Sequence, residues 1–193
     1  MNESDIQAVR ETLRQFQEGY TRRNPEEIDA FKRLFVPADE LEMIGTAALE
    51  PGDDEWRFGI PGVSSMMIGD WNGWGDVVLD VADARIHTLG DVAWLATTGT
   101  VTMVLDAEEN YRDTLEYIRQ QLTEEDSLSP DKRLLEIIRE GAAILSEAGQ
   151  GSTYVWPLRF TAVLVRQAEN WLFHQLQFSF ATTRFPDERC AVK

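Results

Sequence analysis

The chain has 193 residues, 43% of them hydrophobic, so it is long enough to enclose a hydrophobic core. Its 34 acidic and 18 basic residues give a formal net charge of −16. Because this charge repels phosphate backbones and anionic lipid surfaces, we expect neither nucleic acid nor a membrane as a partner.

Cysteine content and hydropathy indicate where in the cell the protein is found. Cys190 is the single cysteine, which excludes an intrachain disulfide and a cysteine metal cluster. The N-terminal residues are polar and lack the apolar core of a secretion signal, and no apolar run is long enough to span a bilayer. We therefore expect a cytoplasmic protein.

Helical periodicity dominates the first part of the chain. Residues 3–22 are predicted to form an amphipathic helix whose apolar stripe is Ile6, Val9, Leu13, Phe16 and Tyr20. Pro25 can occupy the first turn of a second helix, which ends before Pro37. A third helix, rich in Met and Trp, is predicted from Val63 to about Trp74 after two short strands.

Period-two alternation predicts four long strands in the remainder of the chain. Residues 76–90 and 91–106 form one predicted hairpin, and 153–167 and 171–180 form a second. Strict alternation in the last strand places one set of side chains on a common apolar face: Leu172, His174, Leu176, Phe178 and Phe180.

Residues 108–150 separate the two hairpins and are predicted to form two amphipathic helices. Helices that gather on one face of an antiparallel sheet define an α+β fold. We therefore predict one domain over residues 1–193, with residues 108–150 as a helical insertion.

Three stretches carry a family resemblance: TRRNPEEIDAFKRLFVPADE, IPGVSSMMIGDWNGWGDVVLDV and RFTAVLVRQAENWLFHQLQFS. In these the chain resembles the SnoaL-like branch of the nuclear-transport-factor-like superfamily, related in fold to ketosteroid isomerase and scytalone dehydratase. The resemblance covers all but residues 108–150. It implies a cone-shaped, curved sheet covered by helices, and a homodimer formed through one sheet face, with Arg159, Thr161, Gln175, Gln177 and Ser179.

The chain departs from these relatives where their chemistry lies. Gln175 and Gln177 stand where many relatives have two histidines. The catalytic tyrosine, base aspartate and second acid of ketosteroid isomerase fall nearest to Phe16, Glu42 and Ala162. Isomerase chemistry therefore does not carry over to this chain by motif.

Several polar side chains are candidate catalytic or binding groups. His174 could act as a general acid or base if its face lines a cavity, or it could be a core histidine. Asp83 and Arg85 share a predicted strand face with His87. Asp83 or Tyr20 could orient His174, and Arg85 could hold a ligand carboxylate, or the charges of Asp83 and Arg85 could mark a solvated face.

Aromatic side chains supply the remaining ligand-binding candidates. Tyr20 could hydrogen-bond a ligand, or it could be a core tyrosine whose hydroxyl reaches water. Trp56, Trp71, Trp74 and Trp94 could line an apolar small-molecule cavity. A core or a dimer interface would use the same large rings.

Three classes of function remain open on these observations. The first is a protein that binds a small apolar or polycyclic molecule. The second is a cofactor-free lyase, isomerase or cyclase that uses His174 as the acid or base. The third is a dimeric assembly module that works through residues 108–150. We expect no cofactor and no metal, because His87 and His174 have no carboxylate at ligand spacing and the glycines form no phosphate-binding loop.

Overall fold

A computed structural model describes residues 3–48, 50–52, 55–104, 106–123, 129–148 and 151–180. These form two compact units, one containing residues 3–101 and 156–180 and the other residues 102–155. Cys190 lies outside the described residues. The prediction of a single domain stays a prediction.

The helices fall at three places along the chain. They are α1 (Glu3–Arg22), α2 (Ile28–Phe31, flanked by 3-10 turns at Pro25–Glu27 and Lys32–Leu34), α3 (Gly59–Gly73), α4 (Ala107–Thr123) and α5 (Pro130–Ala148). None of them, within the described residues, combines the length and apolar character needed to cross a membrane.

Seven strands form one mixed sheet in the order β2-β1-β7-β6-β5-β3, with β4 paired to β5. They are β1 (Glu42–Ile44), β2 (Trp56–Phe58), β3 (Asp76–Leu79), β4 (Arg85–Leu89), β5 (Val92–Val104), β6 (Thr153–Gln167) and β7 (Asn170–Phe180). The β1–β7 pair is parallel, whereas β6–β7 and β4–β5 are antiparallel hairpins. The predicted α+β class is confirmed.

The predicted stripe of α1 is buried as expected. Val9, Leu13, Phe16 and Tyr20 are each at most 1% exposed, while Ile6 is half-buried. Phe16 lies at the centre of an aromatic core, with ring centroids 5.0–6.3 Å from those of Tyr20, Phe31, Phe35, Phe160, Phe173 and Phe178. This cluster joins α1 to the two C-terminal strands.

The alternation predicted for β7 is interrupted by a bulge at His174. Val163 pairs with Gln175 and Leu164 pairs with Phe173, so His174 has no partner on β6. The extra residue changes which side chains point inward, because a strand alternates strictly only while its pairing is regular. The single face predicted to run from Leu172 to Phe180 is therefore wrong for the first part of the strand.

Burial along β7 follows from this bulge. Trp171 and Phe173 are buried before it, and Leu176 and Phe178 are buried after it. His174 itself is half-buried. The sheet face with Arg159, Thr161 and Gln177 is solvent-exposed, and the predicted homodimer through that face stays a prediction.

The long strand predicted over residues 76–90 is in fact two strands, β3 and β4, separated by a turn. Arg10 of α1 holds this turn, because its guanidinium donates to the carbonyl oxygens of Val81, Ala82 (2.7 Å) and Ala84 (3.1 Å). Backbone acceptors that leave the sheet ladder need such partners. The break places Asp83 in an exposed turn instead of on a strand face.

The second unit contains the predicted helical insertion. Its helices α4 and α5 pack against each other. Large apolar side chains on both helices remain exposed, among them Leu115, Leu122, Leu134 and Leu145, each at least 58% exposed.

Candidate functional site

Helix α3 has one face packed in the core and a neighbouring face that borders a cavity. The residues of each face recur at intervals of four, as expected for a helix. Val63, Met67 and Trp71 are buried in the core. The neighbouring face carries Met66, Asp70 and Trp74, and these line a cavity. The helix begins after Phe58 with Pro61 in its first turn, where a missing backbone N–H has no cost.

The cavity measures about 370 Å³ and lies within the first unit, between α3, the β1–β2 strands and Phe178 of β7. Its polar wall includes Thr46, Glu55, Arg57 and Asp70. Met66, Trp74 and Phe178 supply apolar surface. A concave space with a few convergent polar groups is the usual form of a small-molecule site.

A hydrogen bond between helices α1 and α3 forms one wall of this site. The Tyr20 hydroxyl donates to Oδ2 of Asp70 across 2.7 Å. Tyr20 is only 1% exposed, and its ring packs against Phe16, Phe31 and Phe178. The predicted ligand-binding residue Tyr20 therefore lies against a carboxylate of the cavity wall.

The surroundings of Asp70 raise its pKa from 3.8 to about 7. Burial is the main cause, since it penalises the charged carboxylate, and the nearby charge of Glu55 acts in the same direction. The hydrogen bond from Tyr20 and the charge of Arg23 oppose the shift without cancelling it. Burial and the Asp70 charge raise the pKa of Tyr20 well above 10.

Arg23 fixes the end of α1 against the end of α3. This residue has a positive φ of 48°, and its backbone N–H donates to the Gly19 carbonyl, which closes α1. Its guanidinium donates to the carbonyl oxygens of Trp74 (2.9 Å) and Gly75. Tyr20 and Asp70 are thus held by two helix ends that share one arginine.

Gly45 makes room for a second carboxylate in the cavity. A Cβ atom at this position would lie 1.9 Å from Oε2 of Glu55 and 2.6 Å from Cε of Met66. The Gly45 backbone N–H also donates to the Glu55 carbonyl across 2.6 Å. Glycine at position 45 therefore lets the Glu55 side chain lie over the strand and face the cavity.

The predicted tryptophans have four different surroundings. Trp74 lines the cavity and packs edge-on against Phe178. Trp71 is buried behind it against Phe31, and its indole N–H has no acceptor among the described residues. Trp56 donates through Nε1 to Oε1 of Glu42 across 2.6 Å, whereas Trp94 is 45% exposed.

The structure does not bring Asp83, Arg85 and Trp94 into this cavity. Asp83 and Arg85 are exposed at the start of β4, and Trp94 stacks on His87 with ring centroids 5.6 Å apart. His174, at the bulge of β7, is likewise not among the described residues that line the cavity. Their predicted roles stay predictions.

Sequence reasoning missed the three charged residues that line the cavity: Asp70, Glu55 and Arg57. A signal for Asp70 was present, because Met66, Asp70 and Trp74 recur at intervals of four within a predicted helix. No comparable signal marks Glu55, which directly precedes β2, or Arg57, which is the middle residue of that three-residue strand.

Within the described residues, no group of three or more His, Cys, Asp or Glu side chains lies close enough together to hold a metal ion.

Comparisons with known proteins identify the fold. No family model matches the sequence, and no curated protein matches it. Solved structures do match. One is a nuclear transport factor 2 (NTF2-like) superfamily protein from Salmonella enterica serovar Typhimurium, with a TM-score of 0.57 and 15% identity, covering 96% of this chain and 99% of that one.

Two further matching structures belong to proteins whose names refer to an enzyme activity. A protein of the NTF2-like family from Streptomyces avermitilis, provisionally named a dehydratase, has a TM-score of 0.55 and 14% identity, with 94% of this chain and 99% of that chain covered. A ketosteroid isomerase-like protein from Erwinia carotovora has a TM-score of 0.54 and 11% identity, with 94% and 99% covered. The chain therefore has the NTF2-like fold, and at these identities the likeness shows the fold alone.

Proposed function

We propose that this protein binds a small organic molecule in the cavity between α3, β1–β2 and Phe178. The observation that carries the proposal is the Tyr20–Asp70 hydrogen bond at the cavity wall. Asp70 lines the cavity, and a partly desolvated carboxylate with a raised pKa that a buried hydroxyl holds in place is typical of functional sites.

The size and lining of the cavity support the same proposal. A volume of about 370 Å³ lies in the range of small-molecule sites, and aromatic and methionine side chains give a ligand apolar surface to cover. The comparison proteins named a dehydratase and a ketosteroid isomerase-like protein are compatible with this use of the fold. Membership of the SnoaL-like branch is part of this proposal.

Proton transfer on the bound molecule is a second candidate function, favoured by the pKa of Asp70. A carboxyl group with a pKa of about 7 can accept or donate a proton near neutral pH. Tyr20 keeps its proton at that pH and can donate a hydrogen bond to the same centre. In a cofactor-free lyase, isomerase or cyclase, Asp70 would then take the acid or base role that the sequence assigned to His174.

Occupancy of the cavity can be tested by filling it. Gly69 lines the cavity, and a Cβ there would meet no atom within 4 Å, so Gly69→Leu projects into the open space. Gly141 of α5 is equally open and provides the matched control Gly141→Leu. We expect native mass spectrometry to find a co-purified molecule on the wild type and Gly141→Leu but not on Gly69→Leu. Equal occupancy of both variants would contradict the proposal.

The proton-transfer candidate is tested by comparing Asp70→Asn with His174→Ala on the molecule so identified. We expect Asp70→Asn to abolish conversion, and His174→Ala to retain it, with a pH–rate profile that has an apparent pKa near 7. Conversion lost in His174→Ala at an unchanged melting temperature would instead restore the histidine to the catalytic role.

The predicted assembly functions need separate measurements. Light scattering at micromolar concentration should show a homodimer, and Thr161→Glu on the exposed sheet face should weaken it. Deletion of residues 108–150 should change the oligomeric state without changing ligand binding if that segment is an assembly module. A monomeric wild type would remove the dimer proposal.

A further inference from the structure

We infer that helix α5 pairs antiparallel with the α5 of a second copy of this chain, through a stripe made of Leu134, Ile138, Gly141 and Leu145. Such pairing is a specific form of the assembly role proposed for residues 108–150, on which the inference rests, and it does not involve the ligand cavity. The exposed leucines of α4 complete the contact at its rim.

The first observation is how little of the helical unit is buried. Within the described part of α4 and α5, Thr114 is the only buried side chain. Five aliphatic side chains are instead between 49% and 67% exposed: Leu115, Leu122, Leu134, Ile138 and Leu145. Two helices with so small a core of their own gain stability when another surface covers their apolar side chains.

The amount of exposed apolar surface is enough for a second copy. A whole leucine side chain offers on the order of 100 Å² of apolar area, so the five side chains supply roughly 300 Å² on each copy. A specific interface buries at least about 500 Å² per partner, of which about 65% is apolar in homodimers. The two amounts agree at the lower end of stable interfaces. The net charge of −16 argues against an anionic lipid surface as the alternative occupant.

The second observation is the spacing within the α5 stripe. Its residues follow one another at intervals of four, three and four, which is the spacing of the core positions of a coiled coil. When two such helices run antiparallel about a two-fold axis, Leu134 lies opposite the Leu145 of the second copy. Ile138 then lies opposite the Gly141 of the second copy, so the stripe is complementary to itself.

Shape and charge both favour this register. A Cβ atom at Gly141 would meet no atom within 4 Å, so the glycine leaves a hole that the branched side chain of Ile138 from the other copy can fill. The stripe contains no charged residue, although the whole chain has a net charge of −16. Two copies therefore repel each other less when they approach through this stripe than through a surface of average charge.

Sedimentation velocity of the full-length protein tests the pairing. The Thr161→Glu variant serves as the background, so that the exposed sheet face does not contribute. We expect it to be a monomer at about 5 μM and a dimer at about 500 μM, because association follows mass action. Adding Ile138→Glu should raise the dissociation constant of that dimer at least about tenfold, since like charges then lie near the two-fold axis.

A matched control adds Leu89→Glu to the same background. Leu89 is an apolar residue of β4 that is 74% exposed, and it lies in the other unit of the chain. The dissociation constant should not change in this variant, and melting curves check that every variant is folded. Equal effects of Ile138→Glu and Leu89→Glu would overturn the inference.

A mixing experiment tests the register. Ile138→Glu and Gly141→Lys are introduced into separate copies, each with Thr161→Glu. In the inferred register the mixed dimer has one pair of opposite charges and one native Ile138–Gly141 contact, whereas each variant alone has two mismatched contacts. We expect native mass spectrometry to find the mixed dimer in excess of both homodimers. A statistical mixture would contradict the antiparallel register.

Failure of this pairing is distinguishable from failure of the proposed functions. If deletion of residues 108–150 reduces association but Ile138→Glu does not, the segment is an assembly module that uses another surface, and the inference is wrong. A Thr161→Glu variant that stays monomeric at the higher concentration also refutes it. The ligand cavity is judged separately, because α5 contributes none of its described lining residues and Ile138→Glu should retain the co-purified molecule.

Discussion

The cavity wall and the β3–β5 surface contain the same three kinds of side chain in different surroundings. The wall has Asp70 and Trp74, and Arg23 next to it connects the ends of α1 and α3. The surface has Asp83, Arg85 and Trp94 around the β4–β5 hairpin, and all three are exposed.

Burial is what distinguishes these two sets. At the wall it raises the pKa of the carboxyl to about 7, and the arginine is spent on backbone carbonyl groups. At the surface, solvent reaches each group. These three residue types therefore do not define a site by themselves, because their effect depends on burial, and four experiments can test this contrast.

The largest effect is expected from removing the two indoles. Trp74→Ala should lower the free energy of unfolding by about 2–4 kcal/mol, because the ring packs against Phe178 and Phe180. Trp94→Ala should cost less than about 1 kcal/mol, since the ring is 45% exposed. Urea denaturation measures both, and equal losses would contradict the contrast.

The second effect is the contribution of Asp70 to the pH dependence of stability. Because folding raises its pKa from 3.8 to about 7, the folded state holds a proton that the unfolded chain releases over this interval. The free energy of unfolding therefore falls as the pH rises from about 4 to 7, and this contribution is constant above that.

Asparagine at position 70 would remove this penalty and still accept the Tyr20 hydrogen bond. We expect Asp70→Asn to be more stable than the wild type at pH 8 by about 1–3 kcal/mol, and to match it near pH 4. Asp83→Asn is the exposed counterpart and should follow the wild type at both pH values. Thermal melting across pH 4–8 decides the matter: parallel curves for wild type and Asp70→Asn would refute it.

A third, smaller effect is expected from Tyr20→Phe. The loss of the hydroxyl removes a hydrogen bond that lowers the pKa of Asp70, so the pH dependence should move to higher pH. The variant should also lose about 1–2 kcal/mol at pH 8, where Asp70 is ionised and lacks its donor. A midpoint that moves to lower pH would show that the hydrogen bond acts differently.

The smallest effect is expected at the surface. His87→Ala removes a stack on Trp94, and Arg85→Ala removes an exposed charge. Each should change the free energy of unfolding by no more than about 0.5 kcal/mol and leave the co-purified molecule bound, as native mass spectrometry would show. A loss of that molecule in either variant would place part of the site on this surface.

Local patterns in the sequence predicted the architecture well where one face of an element is buried throughout. The stripe of α1 from Val9 to Tyr20 is buried as the spacing requires, and the β6–β7 hairpin forms where alternation predicts it. Alternation did not predict the bulge at His174 or the turn before Arg85. Both depend on partners distant in the chain, among them Arg10 for the turn.

The chemistry of the cavity was less accessible to sequence reasoning. Tyr20 could be selected because it ends an apolar stripe. Asp70 could not be ranked above the other acidic residues, because its pKa depends on burial and on Glu55, which is separated from it in the sequence by β2 and most of α3. A solvated carboxylate and a functional one have the same letter in the sequence.

The bulge at His174 divides β7 into two segments with opposite inside–outside codes. Trp171 and Phe173 point inward with one parity, and Leu176 and Phe178 point inward with the other. Deleting the single residue His174 would therefore leave both segments in phase with the core, because Phe173 and Gln175 already pair with the consecutive residues Leu164 and Val163. In evolutionary terms, a one-residue gap in homologous sequences should fall at position 174 and avoid the other residues of 171–178, where it would shift the register.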